Sequence, residues 1–322
     1  MRLCPLAALA ALVVGGCAAP LLNLHAASAG ASIGAPPLVR KTPPPNCGKY
    51  GPCSIVVCFK SPVSCVAFAT DGSVQNTLTS GLNSAQGVAA DRDGNVYIAD
   101  AGNAEIFEYG PYLKTLIKTY TDPGEVPVDV AVDSAAQLLV VSNESTTPSV
   151  SVYAGGSTSP TAVLTDPKAP NLTGIGIALD GHDNCFWSLG QSNDYKIDEF
   201  AGCSGEPTKV YATKRVLGGL AFDEANNLYF VERRGFIKRG GYGAHGEIFR
   251  CNGTMQCAAL YKGRAGAINF DQRWKFLWTV TPEDDFNGLQ ALAYGSGKKR
   301  GGFGINFGYG TPTGVAHVPG PG

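Results

Sequence analysis

The chain has 322 residues, of which 44% are hydrophobic and 16% charged, with a formal net charge of −1. That is enough apolar material for a large core, and too little net charge for bulk attraction to nucleic acid or an anionic membrane. Glycine (42) and proline (21) together approach a fifth of the residues, punctuation that suits many short strands and excludes a mainly helical chain.

At the N-terminus Arg2 is followed by an apolar run from Leu3 to Val14, too short to span a bilayer, and this predicts an export signal over 1–16. The "VVGGC" that follows resembles the lipobox of bacterial lipoproteins. That resemblance implies lipidation of Cys17, with the membrane as a partner through the anchor and the cell envelope as the location. Cleavage after "HAASA", ending at Ala29, is the alternative, and it gives a secreted chain. Residues 17–52 are rich in Ala, Ser, Gly and Pro and read as a flexible tether to a folded region at 53–322.

Eight further cysteines accompany the folded region: Cys47, Cys53, Cys58, Cys65, Cys185, Cys203, Cys251 and Cys257. Their number is even and no pair has C-x-x-C spacing, so disulfides are expected rather than a zinc ribbon. Cys251 with Cys257 flanks a turn-forming Asn-Gly. Cys185 with Cys203, Cys58 with Cys65 and Cys47 with Cys53 complete the expected set.

The folded region begins with three strand-like segments, "CSIVVCF", "SCVAFA" and "QNTLTS". A hairpin unit then recurs: "GVAADRDGNVYIAD", "DVAVDSAAQLLVVS", "GIALDGHDNCFWSL", "GLAFDEANNLYFVE" and "AINFDQRWKFLWTV". Its Asp falls at 91, 133, 180, 223 and 271, spacings of 42, 47, 43 and 48 residues, the range of four-stranded propeller blades. Each Asp is expected to accept turn N–H groups, with Gly94, Asn95, Asn226 and Asn227 tolerating left-handed backbone. A third segment follows each hairpin and a fourth follows most of them, so each blade reads A-B-C-D.

The last apolar segment, "TGVAHV", is an A strand with no B strand after it. The first three segments are B, C and D with no A before them. Together they make one split blade that closes a ring, and five internal blades bring the count to six. The expected fold is therefore all-β, a six-bladed β-propeller closed by its N- and C-terminal strands.

"AQGVAADRDGNVYIADAGNAEIFEY" resembles an NHL repeat, and looser versions extend the resemblance over about residues 54–318. The resemblance implies that B–C and D–A loops share the face that usually binds ligands. Similarity to gluconolactonase-like propellers implies, as an alternative function, a metal-dependent lactonase or hydrolase. In that reading Asp100, Asn143, Asn193 and Glu232 hold Ca2+ or another divalent cation; otherwise no cofactor is expected. Lyase-type NHL propellers place histidines on zinc, but His182 lies in an A–B turn opposite His245, which argues against a three-His site with His317. Around the B–C face, Arg233, Arg234, Lys238 and Arg239 form a basic loop and Asp284 belongs to an acidic one. These expectations add up to a lipid-anchored binding or scaffold module for a protein, glycan or small ligand, with no nucleic-acid partner.

Overall fold

The structure is a computed structural model that describes residues 54–69, 71–133, 135–191, 194–213, 216–233, 245–271, 276–281, 287–293, 296–305 and 312–318. The chain divides into residues 1–35 and 36–322, and every described residue belongs to the second unit. The expected signal, Cys17, the tether and the Cys47–Cys53 pair lie outside the described residues.

The fold is all-β, a six-bladed propeller of antiparallel four-stranded sheets. The first blade contains β1 (Ser54–Lys60), β2 (Val63–Ala69) and β3 (Val74–Leu78). The second runs β4 (Ala85–Ala90), β5 (Val96–Asp100), β6 (Glu105–Tyr109) and β7 (Leu116–Thr121). The third is β8 (Pro127–Val132), β9 (Leu138–Asn143), β10 (Ser149–Ala154) and β11 (Ala162–Leu164). The fourth is β12 (Thr173–Leu179), β13 (Cys185–Gln191), β14 (Asp194–Phe200) and β15 (Lys209–Thr213). The fifth is β16 (Val216–Phe222), β17 (Leu228–Arg233), β18 (His245–Cys251) and β19 (Cys257–Arg264). The sixth is β20 (Ile268–Asp271), β21 (Phe276–Thr281), β22 (Asn287–Ala293) and β23 (Lys299–Ile305). The basic "KKRGG" of residues 298–302 thus runs into this outer strand. Finally β24 (Pro312–Val318) pairs with β1, placing Val315 opposite Val57 and Val318 opposite Ser54.

Strand β1 shows why these segments read as unbroken apolar runs. Val56 and Cys58 face the second blade, whereas Ile55, Val57 and Phe59 face the sixth, and all five are fully buried. Successive side chains point to opposite faces of a strand, and here both faces are covered. Each large side chain buried this way contributes about 1.5–3 kcal/mol relative to exposure. Trp187 and Trp278 anchor equivalent layers in the fourth and sixth blades.

The hairpin turns repeat one geometry. Asp91, Asp133, Asp180 and Asp223 each accept the N–H of the fourth residue on, from Asn95, Gln137, Asn184 and Asn227, at 2.8–2.9 Å. The third residue on, which is Gly94, Ala136, Asp183 or Asn226, takes positive φ in every case. Of the four residues that tolerate left-handed backbone, Gly94 and Asn226 adopt it, whereas Asn95 and Asn227 grip the Asp with both backbone and side-chain nitrogens.

Three disulfides join Cys58 to Cys65, Cys185 to Cys203 and Cys251 to Cys257. They are the chemistry of an oxidising, extracytoplasmic location.

Candidate functional site

The six innermost strands line a central channel. Register orients it: Ala85 of β4 pairs with Asp100, the end of β5, while Ala90 pairs with Val96 beside the A–B turn. The start of each inner strand therefore lies at the B–C face. Four residues before the turn Asp, successive blades carry Gly87, Asp129, Gly176, Gly219 and Ala267, and β24 brings Gly314 against Gly87.

Small residues are required here because the strands converge. A Cβ on Gly314 would stand 2.8 Å from the Gln86 carbonyl oxygen, and one on Gly176 would stand 3.0 Å from that of Gly218. Asp129 is the exception, and its neighbours make room for it. A Cβ at Gly87 would come within 2.6 Å of the Asp129 Cα, and one at Gly176 within 3.4 Å of its Oδ2.

Asp129 Oδ2 accepts the Ile177 N–H of the next blade at 3.0 Å. Asp129 is half-buried, with its carboxyl packed against the next blade and reached by the bore. Burial pushes it up to about 7, against the pull of backbone N–H groups from Ile177 and Val130. A carboxyl so placed exchanges its proton near neutral pH, where a neighbouring cation favours its ionised form.

The channel encloses about 1310 Å³ and extends from Glu144 at the B–C end to Arg92, Asp183 and Glu224 at the A–B turns. Among the described residues its lining includes eight acidic side chains, Asp91, Asp129, Asp133, Glu144, Asp180, Asp183, Asp223 and Glu224, against one guanidinium, that of Arg92. Four of the eight, Asp91, Asp133, Asp180 and Asp223, also brace turns. Low-dielectric walls concentrate such a field along the bore.

Of the residues expected to bind a metal at the B–C face, Asp100, Asn143 and Glu232 are described, and none of the three lines this channel. Asp100 is fully buried, and its carboxylate accepts the N–H groups of Asn83 and Ser84 at 2.7 Å, that of Gly102 at 3.1 Å and Asn103 Nδ2 at 3.2 Å. Its oxygens are spent on pinning the loop before β4. Asn143 is fully buried within the third blade, where Nδ2 donates to Ser149 Oγ and Ser151 Oγ at 3.2 and 3.0 Å. Glu232 is buried in β17, and Arg233 ends that strand. Asn193, Arg234, Lys238, Arg239 and Asp284 lie outside the described residues. His182, His245 and His317 belong to the turn after β12, to β18 and to β24, on three different blades.

Asp129 escaped the sequence reading, although its signal was present in the repeat. Where four hairpin units open with Gly or Ala, "DVAVD" opens with Asp.

Comparison with known proteins agrees with this architecture. The NHL repeat family model matches residues 82–109. No curated protein sequence matches the chain. Among solved structures, a chain of the nidogen/laminin complex superposes with a TM-score of 0.58 at 14% identity, covering 83% of this chain and 98% of that one. TolB from Acinetobacter baumannii gives 0.60 at 12% identity, covering 84% and 67%. Kuenenia stuttgartiensis hydrazine synthase gives 0.59 at 9% identity, covering 82% and 89%. At such identities the likeness speaks for the fold alone. The chain is a six-bladed, NHL-like β-propeller that carries an NHL repeat at residues 82–109.

Proposed function

We propose that this propeller is an extracytoplasmic, lipid-anchored binding module, and that its channel takes a basic group, an amine or guanidinium, entering from the B–C face. The ligand is a small base or a basic side chain of a protein partner. Cys17 carries the anchor in this reading. The basic loop with Arg234, Lys238 and Arg239 plays no part in it.

The observation that carries the proposal is the composition of the bore among the described residues: eight acidic side chains, one guanidinium, and walls of small residues. Glu144 is exposed at the mouth and attracts the cation. Asp129 stands two residues into β8, about 7 Å along the strand, and supplies the buried contact. Electrostatic steering of this kind favours fast, salt-sensitive association. The lactonase alternative receives no support from Asp100, whose carboxylate is satisfied by the donors of its own blade.

The test is a calorimetric titration with arginine amide and with its uncharged isostere citrulline amide, at low and moderate salt. Saturable binding of the first and none of the second supports the reading. Equal binding of both, or binding unaffected by Asp129→Asn, removes it.

A further inference from the structure

The third and fourth blades are each entered through the same turn. Thr121-Asp122-Pro123 leads into the third and Thr165-Asp166-Pro167 into the fourth, and the two aspartates are 1% and 6% exposed. What meets each Asp differs. In the fourth blade Lys196 of β14 bonds Asp166 directly and stands 3.0 Å from Asp198. Two buried carboxylates thus share one built-in ammonium. In the third blade the strand in the same position, β10, offers Ser151, whose Oγ donates to Asp122 Oδ1 at 2.8 Å. Serine brings no charge.

Three solvent-shielded oxygens are left over in this part of the blade: Asp122 Oδ2, Glu125 Oε2 and Asn143 Oδ1 have no hydrogen-bond donor. The turn ties Glu125 to Asp122 through its N–H, 3.1 Å from the Asp122 carbonyl oxygen. Asn143 shares Ser151 with Asp122, which sets its amide beside the carboxylate. Burial holds Asp122 above the usual carboxylate range, Ser151 and Asn143 pull it down, and Glu125 pushes it up again. A buried acceptor without a donor destabilises the fold, a charged one most of all. A single water has two hydrogens for three acceptors.

We propose that Asp122, Glu125 and Asn143 form a binding site for a divalent cation of the calcium class, standing where the fourth blade has Lys196. The donor set is all oxygen, two carboxylates and an amide, with the hydroxyls of Ser149 and Ser151 adjacent. Such a set suits a hard cation, and two carboxylates match a double positive charge. Binding fastens the loop between the second and third blades to β9 and β10. Asn143 is followed directly by Glu144 of the channel mouth, so the ion also steadies that residue.

The test uses the full chain after chelation. Terbium luminescence, excited through Tyr153, whose hydroxyl bonds the Thr121 carbonyl oxygen at 3.1 Å, needs no variant. The expected result is a saturable signal displaced by Ca2+ and left in place by Na+ or K+ at equal ionic strength. Calorimetry with Ca2+ alone is expected to show affinity reduced at least tenfold in Asp122→Asn and in Glu125→Gln, and unchanged in Glu206→Gln, an exposed carboxylate. Displacement by Na+ or K+ overturns the divalent assignment. Absence of the terbium signal together with equal melting temperatures in Ca2+ and in chelator overturns the site and leaves buried water as its occupant. The arginine amide titration is read separately, so either proposal stands or falls without the other.

Discussion

The Asp129 carboxylate of the third blade accepts the Ile177 N–H of the fourth at 3.0 Å, a hydrogen bond across a blade boundary in the wall of the channel. It joins two neighbouring sheets and holds a titratable group where every other blade has Gly or Ala.

The first expectation concerns pH. Burial raises Asp129 from its ordinary 3.8 to about 7, so the folded chain holds its proton over a range in which the unfolded chain has released it. This contribution to stability is fully present below about pH 4 and is lost as pH rises through about 7. The difference amounts to about 2–4 kcal/mol, given about 1.4 kcal/mol per pKa unit and some relief from the open bore. Asp198, raised to about 6 mainly by burial, acts in the same direction, so the parent alone does not isolate the effect. Urea melts at pH 5 and pH 8 are expected to show that Asp129→Asn flattens the profile and is the more stable protein at pH 8. An unchanged profile contradicts the burial of this carboxyl.

Gly87→Ala tests the fit around the same residue. The new Cβ would run into the Asp129 Oδ1 and stand 2.6 Å from its Cα and 3.0 Å from its Cγ, so part of the clash is with the side chain and part with backbone that has no slack. Overpacking of this kind costs about 1–3 kcal/mol. Thermal melts are expected to show that loss, and Asp129→Gly in the Gly87→Ala background is expected to recover part of it. Additive effects of the two substitutions would mean that the residues do not press on one another.

Asp100 separates bracing from ligand binding. Asp100→Ala strands the donors of Asn83, Ser84, Gly102 and Asn103 around a buried hole. Removing a fully bonded buried carboxylate is expected to cost about 3–5 kcal/mol, read by denaturant unfolding. Affinity for arginine amide is expected to remain that of the parent under conditions where the variant is folded. A variant of parental stability with lost binding would return Asp100 to the role of a ligand.

The architecture was legible because a propeller writes itself repeatedly. The turn Asp recurs once per blade, and strands such as β1, buried on both faces, stay apolar without interruption. The expected pairings of Cys58 with Cys65, Cys185 with Cys203 and Cys251 with Cys257 bridge short stretches, where sequence distance is a good guide. The site was harder to read because its contacts are distant in sequence. Asp100 looked like a free loop carboxylate, whereas its donors come from Asn83 and Ser84, 17 and 16 residues earlier. Asp129 looked like one more polar residue in a strand until the ring put it between Gly87 and Gly176. The two Thr-Asp-Pro turns are visible as text, but the partners that distinguish them, Ser151 and Lys196, stand 29 and 30 residues further on.

The measurement that bears most directly on the central claim is the affinity for arginine amide at pH 5.5 and at pH 8, in the parent and in Asp129→Asn. A cation in the bore must displace the Asp129 proton at the lower pH, so the parent is expected to bind about tenfold or more tightly at pH 8, while Asp129→Asn binds weakly at both. Binding of equal strength at the two pH values, or equal in the two proteins, contradicts the account.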